Sequence, residues 1–274
     1  MKWLQAIRNK IPQHKYAINA ALLGDSRELA WSNLGYWEDA RSSYPEACAN
    51  LADQLAQALT LNSKDKILDL ACGQGASLIH WQNQYHIEQI HAVELQRACV
   101  DKIQNYFNHS VQIYCSSFLN LNVLGQLPKF DVVLCIDAAY HCEMNSFLKS
   151  VTSVLNSKGK IGFHHLMLSE KFQTLSFLDQ QKYKLLLKSA DVKLEDVLSE
   201  IEIEKTLTAF DFKKIQITDM SAEVFLGFSN YVEQYLNLKS ERSLDIFKIE
   251  MTAKLCRKLY ADGFIRYVQI TAEK

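Results

Sequence analysis

The sequence predicts an α/β fold, a doubly wound and mostly parallel sheet with helices on both faces, and three observations carry that expectation. Short, nearly continuous apolar runs recur at Ile67, Leu68 and Leu70, at residues 90–93 and at residues 130–136, as in parallel strands covered on both sides. Segments with apolar residues at helical spacing lie between them. The first run enters a glycine turn, LDLACGQG (68–75), that opens onto a helix marked by Leu78, Ile79 and Trp81.

Length and composition bound what such a fold can do. A chain of 274 residues has room for one α/β domain with an appended lid, or for two small domains. With 48% hydrophobic residues, 9 glycines and only 3 prolines it reads as helix-rich and globular. A net charge of −1 supplies no field to draw in nucleic acid, so no nucleic-acid partner is expected. The 7 cysteines include no CxxC pair and read as small buried hydrophobes of a reducing compartment, not as a disulfide or zinc framework. No apolar run approaches the roughly 20 residues that span a bilayer, and the N-terminus lacks a signal-peptide core. The expectation is a soluble, cytoplasmic protein.

Taken in order, residues 1–24 carry Lys2, Arg8, Lys10 and Lys15 without an acidic residue. Such a basic amphipathic stretch suits an anionic membrane surface or a dock on its own domain, and Pro12, which interrupts the pattern, favours the dock. NLGYW (33–37) is a turn followed by two aromatics, and Tyr36 and Trp37 offer π faces that exclude water and attract a cation. Residues 46–59 read as a helix with Ala47, Leu51, Leu55 and Leu59 on one face.

Residues 66–95 then run strand, glycine turn, helix, strand. Gly73 and Gly75 let the backbone come close to a ligand, and the helix start offers unpaired N–H groups. The second strand ends on Glu94, nineteen residues past Gly75, where a carboxylate can accept both hydroxyls of a ribose. A dinucleotide fits poorly, because Leu78 stands where GxGxxG needs its third glycine and Asp69 would repel a pyrophosphate. A cofactor with ribose and adenine but no phosphate fits better, and positive charge on it would turn Asp69 into an attraction.

LDLACGQG with Glu94 resembles the opening motifs of the class I S-adenosylmethionine-dependent methyltransferases. The resemblance implies a Rossmann-like, seven-stranded sheet, S-adenosyl-L-methionine as cofactor, and a small-molecule methyl acceptor. On its terms Asp69, Gly73 and Gly75 hold the methionine end and Glu94 the ribose, with Ala71, Leu95 and Ile136 also cofactor-binding. NLGYW resembles the "GYW" element that small-molecule methyltransferases lay over cofactor and substrate, with Tyr36 assigned to the cofactor and Trp37 to the acceptor.

The third strand is expected at 111–115. Where the family usually has an Asp for the adenine amino group, Ser117 stands here, with the N–H of Phe118 beside it. The central strand, 130–136, ends in DAAYH (137–141), and open α/β sheets bind ligands at such ends. His141 resembles the histidine that serves as general base in many O- and N-methyltransferases of small molecules, and a neutral imidazole suits that work near pH 7. Tyr140 and His164 are assigned to the acceptor.

Residues 144–155 read as a helix and 161–167 as the fifth strand, entered at Gly159 where the family has two glycines. His164 and His165 adjoin within it, so they point to opposite faces, one into the core and one into the pocket; no metal site is expected. Residues 169–206 read as a helical lid, 212–218 as a strand followed by Ser221 as a helix N-cap, and the chain to 260 as mostly helical with a break at 236–243. An edge strand at 262–270 takes the place of the family's antiparallel seventh.

The domain organisation expected is 1–45 an N-terminal helical cap segment, 46–168 the cofactor-binding core, 169–206 the lid insertion and 207–274 the completion of the sheet. The function expected is methyl transfer from S-adenosyl-L-methionine to an O, N or C nucleophile of a small molecule, with His141 as base. One rival is a methyltransferase-like binding or regulatory protein that has lost transfer, motivated by Ser117 and the single Gly159. The other, a nicotinamide-dependent oxidoreductase, is disfavoured by Leu78. The acceptor and the oligomeric state stay open.

Overall fold

The computed structural model describes residues 19–39, 41–108, 110–125, 127–236 and 243–274. Strands β1 (Lys66–Leu70), β2 (Gln89–Glu94), β3 (Gln112–Cys115), β4 (Phe130–Cys135) and β5 (Leu155–Leu168) pair in parallel in the order β3-β2-β1-β4-β5. The two-residue β6 (Leu198–Ser199) adds in parallel to the end of β5. Beyond β5 the sheet turns antiparallel, because β8 (Ile265–Glu273) pairs with both β5 and the edge strand β7 (Lys213–Asp219). The main path thus has the seven strands expected, with β6 as an eighth beside it.

Side chains alternate across each strand, and the apolar runs therefore feed two cores. Ile67, Val132 and Leu134 pack on one face of the sheet, while Leu68, Leu70, Val133 and Cys135 pack on the other. The first core takes buried residues from α1 (Tyr44–Ala58), α2 (Ala76–Gln84) and α3 (Arg97–Phe107). The second takes them from α4 (Met144–Thr152), so the sheet is covered on both sides. Further along, α5 (Phe177–Lys188) joins the first core and α6 (Glu200–Ala209) the second, while α7 (Gly227–Leu236) and α8 (Leu244–Asp262) return to the first.

Local signals set the element ends. α1 starts with a capping box in which Ser43 and Glu46 satisfy each other's backbone N–H groups, with Pro45 in the first turn. Gly162 on β5 lets α1 lie close, since a Cβ there would stand 2.6 Å from Leu59 Cδ1 and 2.8 Å from Leu55 Cδ1. α4 stops at Thr152, three residues short of the expectation, because the chain at Leu155 is already entering β5.

Four expectations need correction or bounding. The expected helix in residues 1–24 and any membrane contact through it fall largely on residues 1–18, which lie outside the described residues. Among the described residues from Asn19 to Ser43 the chain is not the helical cap expected: they hold one 3₁₀ turn, Ala20–Leu23, and are otherwise irregular. That chain is ordered by side-chain bonds instead, with Asp25 accepting from the Arg27 guanidinium and from the Trp31 backbone N–H. Ser221 holds the expected N-cap position but its side chain makes no capping bond; its hydroxyl donates to Asp219 Oδ1 at 2.5 Å and accepts from the Tyr267 N–H at 2.9 Å, tying β7 to β8. The break expected at 236–243 coincides with residues 237–242, outside the described set. Among the described residues no helix is long and apolar enough to cross a membrane.

Candidate functional site

The carboxyl ends of β1, β2 and β4 open on one cavity of about 830 Å³, beside the point where strand order reverses between β1 and β4. That is where open α/β sheets bind ligands, and the volume lies in the range of small-molecule sites. Asp69, Ala71, Gly73, Glu94, Leu95, Ser117, Phe118, Ile136, Tyr140 and His141 all line it.

One half is shaped by the glycine turn. Gly73 has φ +57° and Gly75 φ +93°; a Cβ would fall 2.6 Å from Ser32 Oγ at the first and 2.7 Å from Ile103 Cγ1 at the second, so only bare backbone fits. Buried Glu94 accepts from the Gly73 N–H at 3.0 Å and from the Gln96 N–H at 2.8 Å, one bond to each carboxylate oxygen. A carboxylate offers about four lone-pair sites, so holding the loop and receiving a ribose are compatible roles. Asp69 is also buried, and Trp81 Nε1 donates to it at 2.7 Å. Burial pushes its carboxyl up to about 6, against the bonds from Trp81 and Ser77 and with help from the charge of Glu94. The two acids therefore sense each other across one space. At the far side Ser117 accepts from the Leu119 N–H at 3.2 Å, capping the turn that carries Phe118.

Bare backbone at Gly73 and two interacting carboxylates suit a ligand with positive charge and a diol, and they oppose a pyrophosphate. S-adenosylmethionine, with its ribose, ammonium and sulfonium, fits this half.

The other half is built on DAAYH. Asp137 stands just past β4 with φ +54°, a left-handed conformation that Asp tolerates better than most residues. Its Oδ1 accepts from Tyr140 at 2.8 Å and from Tyr267 at 2.9 Å; its Oδ2 accepts from the Leu34 N–H at 2.8 Å. Burial moves this carboxyl too up to about 6, opposed by those three bonds. His141 follows on a 3₁₀ turn, exposed at the mouth, with Nδ1 3.2 Å from the carbonyl oxygen of Asp191. A carbonyl only accepts, so Nδ1 carries the proton and Nε2 is the basic nitrogen of the neutral ring. Leu186 and Leu187 at the end of α5, Val192 just past it, and Phe247, Met251 and Leu255 of α8 give the remaining wall much apolar surface, with Asp245, Lys248, Lys254 and Lys258 of α8 beside it.

Four residues assigned from the sequence do not line the cavity: Tyr36, Trp37, Gly75 and His164. Trp37 is buried as a plug; its Nε1 donates to the Leu34 carbonyl at 2.9 Å, its ring stacks on Tyr231 at 4.4 Å, and it fills the space a Cβ on Gly227 would need. Tyr36 donates its backbone N–H to Ala47. Gly75 caps α2 behind the loop. His164 lies inside the sheet layer, accepting from the Asp137 N–H at 3.3 Å and facing Gln269 Oε1 at 3.4 Å, and burial brings its pKa down to about 3. His165 is equally buried, so neither histidine of the pair faces the pocket.

Conversely, Trp31, Ser32, Tyr267 and the α8 wall line the cavity without having been singled out, and so do Asn33 and Leu34, which the NLGYW motif named without a role of their own. The NLG turn was a signal for Leu34: Asn33 accepts from the Gly35 N–H at 2.9 Å, and the turn aims the Leu34 N–H at Asp137. For Tyr267 and α8 no local signal existed. Among the described residues no group of three or more His, Cys, Asp or Glu side chains is placed to hold a metal ion.

Comparison with known proteins places this geometry. Residues 67–159 match a family described as a methyltransferase domain. Erythromycin 3''-O-methyltransferase of Saccharopolyspora erythraea is 28% identical over 162 residues, which cover 54% of this chain and 51% of that protein, so the match spans about half of each. The 27-O-demethylrifamycin SV methyltransferase of Amycolatopsis mediterranei is 21% identical over 247 residues, 88% of both chains. Among solved structures, a mycolic acid cyclopropane synthase complexed with SAH and CTAB superposes with a TM-score of 0.71 at 16% identity, covering 93% of each chain. That last likeness is one of fold.

Proposed function

We propose, on the premise that this chain is a class I S-adenosylmethionine-dependent methyltransferase, that it methylates an O, N or C nucleophile of a small, largely apolar molecule with His141 as general base. The observation that carries the proposal is the shared cavity: Asp69, Gly73 and Glu94 face it from one side, and Asp137, Tyr140 and His141 from the other.

Asp69 and the Gly73 backbone would hold the amino-acid end of S-adenosyl-L-methionine, Glu94 its ribose, and Ser117 with Phe118 its adenine. The bound cofactor supplies an electrophilic methyl group. Every other part of the reaction falls to the chain. The α5 and α8 wall excludes water and holds the acceptor in line, and positioning of this kind supplies much of the rate in displacement reactions. His141, its ring oriented by the Asp191 carbonyl, would take the acceptor's proton at Nε2. The NLGYW loop would act from behind, since its Leu34 N–H fixes Asp137 while Trp37 anchors the loop against α7.

Isothermal titration with S-adenosylhomocysteine, followed by a labelled-methyl screen over hydroxylated, amino and carbon-nucleophile acceptors, tests the reading. Binding and transfer to an acceptor of one class are expected. Absence of cofactor binding would overturn it, and binding without transfer to any acceptor would favour a regulatory protein that keeps the pocket.

A further inference from the structure

We propose that Asp137, Tyr140 and Tyr267 form a subsite for a protic acceptor group, a hydroxyl or an amine carried on an apolar body. This rests on the methyltransferase reading above and narrows it, selecting O and N acceptors over carbon.

Tyr140 and Tyr267 each own one hydroxyl proton, and both are directed at Asp137 Oδ1, at 2.8 and 2.9 Å. The Leu34 N–H is directed at Oδ2. Every donor in the cluster is spent on the carboxylate, so what it offers an incoming molecule is lone pairs and negative charge. Tyr267 is fully buried and serves to hold Asp137. Tyr140 is half-buried and lines the cavity, and its hydroxyl oxygen is taken as the presenting atom. An O–H or N–H of the acceptor would find a partner there. A carbonyl, ether or carboxylate oxygen would meet lone pairs with lone pairs, and a carbon nucleophile would cover polar atoms with apolar surface, which leaves them without their hydrogen bonds.

Two features mark the cluster as built for a ligand and not for stability alone. Asp137 stands in a left-handed conformation and is held by partners from two remote parts of the chain, and strain of that kind gathers at functional sites. The Tyr140 ring lies 4.5 Å from that of His141, which puts the presenting hydroxyl's residue beside the base. Most of the remaining lining is apolar, with Leu166, Leu187, Phe225, Phe247 and Met251, which suits an apolar body, while Asp245, Lys248, Lys254 and Lys258 of α8 add charge along one side.

The test is calorimetric titration of the chain loaded with S-adenosylhomocysteine, using 4-butylphenol, 4-butylaniline and, as the member without a donor, 4-butylanisole. The phenol and the aniline should bind roughly tenfold or more tighter than the ether, and in Tyr140→Phe that ratio should fall to about twofold or less. Equal binding of the three, binding of none, or a ratio unchanged in Tyr140→Phe would overturn the proposal. Thermal melting checks that the variant folds, and Asp137→Asn carries the same expectation if it does not. Loss of S-adenosylhomocysteine binding in the unmodified chain is a separate result: it would remove the methyltransferase reading, and this subsite with it.

Discussion

The cofactor-facing half of the cavity and the acceptor-facing half each hold a carboxylate that burial has brought up to about 6, yet they are made from the chain in different ways. Asp69, Gly73, Glu94 and Gln96 all fall within one strand-turn-helix-strand unit, and their bonds to one another run through adjacent strands of it. Asp137 is held by Leu34, 103 residues before it, and by Tyr267, 130 residues after it. The first half is a property of a contiguous segment. The second exists only once the sheet has closed and the NLG turn has docked. A site of the first kind can be kept while the second is rebuilt around it, which is how one fold serves many acceptors.

That difference is open to direct attack, and the acceptor half should show the largest effect. His141→Ala is expected to lower turnover by roughly two to four orders of magnitude if the imidazole takes the acceptor's proton, while leaving the affinity for S-adenosylhomocysteine within about twofold. Single-turnover methyl transfer with a positive acceptor from the screen, beside a cofactor titration, measures both. A loss under about tenfold would leave His141 an orienting role at the mouth, and a parallel loss of cofactor affinity would show that the two halves are not separable.

The converse experiment acts on Glu94. Glu94→Ala removes the proposed partner of the ribose and also the acceptor for the Gly73 and Gln96 N–H groups. Cofactor affinity is expected to fall by about 1–3 kcal/mol, roughly 5- to 150-fold. The preference for 4-butylphenol over 4-butylanisole should survive once the variant is saturated with S-adenosylhomocysteine. Unchanged affinity would mean the ribose is held elsewhere.

How much of this was legible in the sequence follows from the same contrast. The doubly wound sheet and the loop residues could be read because strand burial, glycine spacing and Glu94 are all encoded within about thirty residues. His164 was misplaced because alternation along β5 says only that the two histidines face opposite sides. It does not say that β8 and α1 close over His164, as the contact from His164 to Gln269 and from Gln269 to the Gln54 carbonyl reveals. Trp37 was misplaced for a related reason. An aromatic after a turn looks like a lid, and only the packing of α7 against it, with Gly227 beneath its ring, makes it a plug. The α8 wall was invisible since its apolar residues at 247, 251 and 255 resemble any amphipathic helix until its partner is known.

The smallest expected effect concerns the charge on Asp69. Burial holds this carboxyl near 6, so the negative charge is present above that pH and is lost below it. If Asp69 attracts the ammonium of the cofactor, the affinity for S-adenosylhomocysteine should be flat from pH 8 to about 7. It should then fall by up to tenfold for each unit below about 6, about tenfold weaker at pH 5, because binding the cation first requires the proton to leave. Asp69→Asn should bind more weakly at pH 7.5 and lose this slope. A flat profile in the unmodified chain from pH 8 to 5 would mean that Asp69 serves the fold through its bond to Trp81 and not the cofactor. The contiguous half would then rest on Glu94 and the glycine backbone alone.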